Sequence, residues 1–151
     1  MNRILLIVLT IMLLGTACKS NAQEISDGLY IGHRGGIIPK YIIMEVIGDS
    51  VNFEMFTRWQ GSWLPCVGEW TDSYAPQVLM RNEDGSLTND NIHVQFKQGK
   101  NLRLSGTAEK TFAGKVKFNL EKQDELPTRY RKVKTRAIEF AERNKSEKTM
   151  L

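Results

Sequence analysis

Val51-Asn52-Phe53-Glu54-Met55-Phe56-Thr57-Arg58-Trp59 decides how the chain folds. Val51, Phe53, Met55 and Thr57 alternate with Asn52, Glu54, Phe56 and Arg58, and a period of two places each set on its own face of an extended strand. Upstream, Gly48-Asp49-Ser50 separates this run from Tyr41–Ile47, which predicts a hairpin. With Asp49-Ser50 as the central pair, Met44 faces Met55 and Val46 faces Phe53, one apolar face. The same register sets Glu45 opposite Glu54, an arrangement that calls for solvent, Arg58 nearby, a cation or a shared proton. Two close carboxylates are what a retaining glycosidase needs. Here they share a face with Asn52 and Arg58 that reads as solvent-facing, so the chain is expected not to be an enzyme.

Outward from this hairpin, short β-like runs alternate with turn signals from residue 27 to 122. Asp27–Gly32 precedes it; Cys66–Thr71, Val78–Arg81 and Ile92, Val94, Phe96 follow. A turn at Gln98-Gly99-Lys100-Asn101 leads to Leu102 and Leu104, and Val116, Phe118 and Leu120 make the last run. Seven or eight such strands predict an all-β domain, an antiparallel meander forming a small barrel or sandwich. After Leu126-Pro127-Thr128 the spacing turns helical: Tyr130, Val133, Ala137, Ile138 and Ala141 fall near one face. One amphipathic helix is expected over 128–143, with Pro127 in its first turn and residues 144–151 frayed.

The chain opens with Met1-Asn2-Arg3, the apolar run Ile4–Leu14, then Gly15-Thr16-Ala17-Cys18-Lys19-Ser20-Asn21-Ala22. A positive start, a short apolar core and small residues are the parts of a secretory signal. The run of 11 residues falls short of the roughly 20 that span a bilayer as a helix. Ser20-Asn21-Ala22 before Gln23 suits signal-peptidase cleavage. Alternatively, Leu14-Gly15-Thr16-Ala17-Cys18 resembles a bacterial lipobox, which implies lipidation of Cys18 and a membrane tether. The organisation is therefore a signal peptide at 1–22, a β domain at 23–126 and a basic C-terminal helix and tail at 127–151. The expected location is the periplasm, the outer membrane through a lipid anchor, or the outside of the cell.

Charge divides along the same line. Residues 23–126 hold 11 Lys+Arg against 14 Asp+Glu, whereas residues 127–151 hold 8 against 3. Export argues against nucleic acid and favours anionic lipid, lipopolysaccharide or acidic polysaccharide as the partner of such a cation. Cys66 is left without an internal disulfide partner and reads as a small buried hydrophobe.

Asp27-Gly28-Leu29-Tyr30-Ile31-Gly32 carries a Gly-x-aromatic-x-Gly pattern that resembles the first strand of lipocalin-like barrels, with Tyr30 where they have Trp. The resemblance implies a closed barrel with a mouth for a small apolar ligand.

Trp59, Trp63 and Trp70 lie within twelve residues. Arg58-Trp59-Gln60-Gly61-Ser62-Trp63-Leu64-Pro65 joins two strands, which puts Trp63 on or near a loop. Flat rings beside Arg58 and Gln60 suit stacking on a sugar face or lining an apolar pocket. Trp63, Trp59 and Arg58 are the candidate ligand-binding residues, while Trp59 and Trp70 also suit a plug pointing into the barrel. His33, His93 and Cys66 match no metal motif, and Asn82–Asn91 reads as a hairpin turn rather than a calcium loop, so no metal or cofactor is expected. No Gly-x-Ser-x-Gly, phosphate loop or Cys-x-x-Cys occurs. Two functions follow as expectations. One is an exported, non-enzymatic binding module for a small apolar or glycan ligand. The other is an envelope interaction protein whose basic helix docks on a partner or an anionic surface.

Overall fold

A computed structural model describes residues 24–67, 74–97, 103–111 and 114–149. The leader with Cys18, the expected strand end at 68–71 with Trp70, and the turn at 98–101 lie outside the described residues. Strands run β1 Gly28–Arg34, β2 Lys40–Ile47, β3 Ser50–Trp59, β4 Ser62–Pro65, β5 Gln77–Arg81, β6 Leu87–Thr88, β7 Ile92–Lys97, β8 Arg103–Thr111 and β9 Gly114–Gln123, followed by helix α1 Thr128–Thr149. The strand pairings are antiparallel, neighbours follow chain order, and β9 returns to β1. The sheet thus closes into an eight-strand barrel.

Nine segments fill eight barrel positions because β4 and β5 share one edge of β3. Trp59 pairs with Ser62 and Phe56 with Pro65, and further along the same edge Phe53 pairs with Gln77 and Val51 with Leu79. They are two halves of one barrel strand, separated in sequence by residues 66–76. Past β4, the Cys66 amide donates to the Met55 carbonyl at 3.0 Å, and Val67 bridges to Thr111 on β8.

The β2–β3 register differs from the expected one by two residues: Met44 pairs with Phe53, Val46 with Val51, and Ile47 with Ser50. The loop is Gly48-Asp49, and Gly48 takes φ 55° at its first central position, a left-handed conformation that glycine adopts without strain and Asp49 would not. A slip of two keeps every side chain on its face, so the apolar face survives and the charge pairing does not. Glu45 lies across from Asn52, and Glu54 from Ile43.

Two further differences concern the site. The expected loop at 58–65 is a hairpin: Gln60 and Gly61, at φ 46° and 84°, supply the two left-handed residues of a I′-type turn. Trp63 is therefore in a strand. The helix runs to Thr149, past the fraying expected from 144.

The barrel core holds Ile42, Met44, Phe53, Met55, Leu104 and Phe118 among its buried side chains. Eight strands leave an interior that side chains of this size fill. A second core lies outside the wall. Ile31, Tyr41, Ile43 and Phe56 point away from the barrel, and Tyr130, Val133 and Ala137 of α1 cover them. β2 is consequently buried on both faces from Lys40 to Met44. The β3 face that reads as solvent-facing is covered by α1 at Glu54 and Phe56. No acidic residue favours the helix dipole in its first turn, so α1 owes its stability to this packed stripe.

Candidate functional site

Two features hold α1 against the wall. Tyr41 sits at the centre of an aromatic cluster: its ring centroid lies 5.2 Å from that of Trp63 and 5.0 Å from that of Tyr130, both edge-on. The Arg129 guanidinium stands 5.0 Å from the same ring. Next to it, buried Glu54 accepts hydrogen bonds from Lys134 Nζ at 2.7 Å and from Tyr74 Oη at 2.8 Å. Burial, then the neighbouring Glu54 carboxylate, pushes the Tyr74 hydroxyl pKa far up, so it stays a donor. Helix α1 and Tyr74, ahead of β5, are thus fastened to one carboxylate on β3.

Beside this seam, a groove of about 320 Å³ lies between the β3–β4 hairpin and α1. Arg58, Gly61, Ser62 and Trp63 line it from the hairpin, and Arg136, Glu139, Phe140 and Arg143 from the helix. Arg58 and Trp63 are a cross-strand pair, which sets the two side chains on one face. Trp63 is half-buried, with one edge on Tyr41. On the helix, Arg136, Phe140 and Arg143 recur at i, i+4 and i+7 and form one stripe. A shallower depression of about 400 Å³ continues along α1, lined by Glu139, Glu142, Arg143 and Ser146.

Two of the three expected ligand-binding residues therefore meet, and the third does not. Trp59 pairs with Ser62 one residue on, which turns its side chain to the opposite face of the hairpin. It is no plug either: at 42 % exposure it stands at the barrel end rather than inside. Arg136, Glu139, Phe140 and Arg143 are absent from the expected site. Their helical spacing was available in the sequence, but nothing local says which strand that side of the helix meets.

Other candidate chemistry resolves into structure. Glu45 is exposed while Glu54 is buried and paired with Lys134, so the two do not form a carboxylate dyad. Among the described residues no group of three His, Cys, Asp or Glu could hold a metal ion. Between β5 and β6 the Asp84 carboxylate accepts from the Ser86 amide at 2.9 Å and from Ser86 Oγ at 2.6 Å. The Asn89 side chain likewise accepts from the amides of Asn91 and Ile92, so these oxygens build turns. Cys66 is buried, as expected, and burial raises its thiol pKa from 9.0 to about 12 against a lowering pull from Lys40.

Fold and site together define a closed, apolar-filled β-barrel with a cationic and aromatic groove on its outer wall. Comparison with protein-family models, curated proteins and solved structures finds no match for the chain.

Proposed function

We propose that the protein is an exported, non-enzymatic binding module of the cell envelope, and that its ligand is a glycan held in the groove between β3–β4 and α1. The observation that carries this is the Arg58–Trp63 pair, which offers a flat ring and a fork of donors to one groove. Aromatic faces stack on sugar rings, while guanidinium and carboxylate groups bond their hydroxyls. Glu139 and Ser62 supply acceptors at the same place. The side chains that fill the barrel leave an apolar ligand in the interior without support. The lipocalin-like resemblance then holds for the closed barrel alone. Export rests on the residues 1–22, and the lipidated and cleaved alternatives both place the module outside the cytoplasm.

A second reading has its own support. The chain from 127 to 151 carries an excess of five positive charges, and Arg131, Lys132, Arg136 and Arg143 are exposed along α1. Docking of this face on an anionic surface would need the charge but not the ring. A glycan array probed with the mature protein, Trp63→Ala and Trp59→Phe separates the two. Binding that Trp63→Ala abolishes and Trp59→Phe keeps supports the groove. No glycan bound by the parent protein rejects it.

A further inference from the structure

We infer that the groove selects an acidic saccharide, a sugar ring bearing an oxyanion, and that Arg58, Arg136 and Arg143 hold the acid group; this rests on the proposed glycan seat. Three guanidiniums and one carboxylate, Glu139, line the groove, an excess of two positive charges. Among the described residues none of the three arginines is in an ion pair. Among the described residues, Arg143 donates from its Nε to the Glu139 carbonyl of its own helix at 3.3 Å. By contrast, Arg103 pairs with Glu121 and Lys115 with Glu109 on the barrel.

Unanswered like charges in one hollow repel each other, and an entering anion relieves that repulsion. Each guanidinium presents a planar fork of donors that matches the two oxygens of a carboxylate, sulfate or phosphate. Trp63 and Phe140 add apolar faces against which a ring can lie. Glu139 sets a limit: it accepts hydroxyls but repels a second anion beside the first. The continuing depression past Glu142 and Ser146 offers acceptors and a hydroxyl rather than further cations. The geometry therefore suits an oligosaccharide whose acid-bearing unit seats at the hairpin end and whose next unit runs along α1.

Calorimetric titration of the mature protein with an oligogalacturonate, a sulfated oligosaccharide and a neutral cello-oligosaccharide tests this. At least one acidic probe should bind about tenfold or more tightly than the neutral one, since a charge-assisted bond is worth roughly 1.5–3 kcal/mol. Whether carboxylate or sulfate binds better identifies the oxyanion. Raising salt from about 0.05 M to about 0.5 M should weaken the acidic ligand and spare the neutral one. Arg136→Gln should lower acidic affinity about tenfold, and Arg136→Lys should keep part of it. Arg136 is exposed, so its melting temperature should not move; if it does, Arg58→Gln takes its place. Equal affinity for neutral and acidic probes, or an unchanged acidic affinity in the arginine variants, overturns the acid selectivity and leaves the glycan seat. Failure of every saccharide to bind overturns both.

Discussion

Lys134 of α1 places its Nζ 2.7 Å from Oε2 of Glu54, a β3 carboxylate left with 6 % exposure. Tyr74 takes the other oxygen, so one side chain on the barrel wall holds both the helix and the residue three before β5. Removing a single partner from a buried pair leaves a charge without compensation, which costs more than the pair itself contributes. Lys134 is about one-third exposed, so water softens that cost. Lys134→Met should destabilise the domain by about 2 kcal/mol in urea unfolding. The triple variant Glu54→Leu, Lys134→Met, Tyr74→Phe should recover most of it, because nothing polar is then left buried. A triple variant weaker than Lys134→Met alone would contradict this.

Cys66 gives a prediction on the alkaline side. Its folded pKa, about 12, lies above the ordinary 9.0, so the folded state holds the thiol proton more tightly than the unfolded state does. Stability is then full below pH 9.0 and declines as the pH rises toward 12. Cys66→Ala should flatten that decline in melts taken across this range. The native thiol should also resist alkylation at neutral pH and react fully once the protein is unfolded.

Trp63 packs an edge on Tyr41 yet opens to the groove, and its replacement should show both roles. Trp63→Ala should cost about 1–2 kcal/mol of stability, less than the roughly 3–5 kcal/mol of a fully buried ring. Glycan affinity should fall much further than stability, as for a central aromatic contact. Proportionate losses would make Trp63 a packing residue only.

The barrel was legible in the sequence because β3, β7 and β9 alternate apolar and polar residues. Phe53 and Met55 face in, and that parity held even though the Gly48-Asp49 turn shifted the register by two. What stayed hidden depends on contacts between distant segments. β6 has only two residues and leaves no periodic trace. Alternation marks Glu54 and Phe56 as the second face but says nothing of the helix that covers it. The seat of Trp63 turned on Gln60, a non-glycine residue in a left-handed conformation that composition does not announce. Local chemistry singles out Arg58 and Trp63, whereas Arg136 and Arg143 join them along the groove only once α1 is docked.

Export yields its own expectation. Mass analysis of the mature protein should find an N-terminus at Cys18 with a lipid, or at Gln23 without one. With lipidation, Cys18→Ser moves the protein from the membrane fraction to the supernatant. A mature chain that keeps Met1 contradicts export altogether.

The groove itself is tested most directly by nuclear magnetic resonance of the side chains that line it. Titrating the glycan that binds best should shift the indole N–H of Trp63 and the Nε–H signals of Arg58, Arg136 and Arg143 together, with one affinity. The methyl groups of Leu104 and Met44, inside the barrel, should stay still. Shifts confined to interior methyls, with the groove signals unmoved, would place the ligand inside the barrel and contradict the outer site.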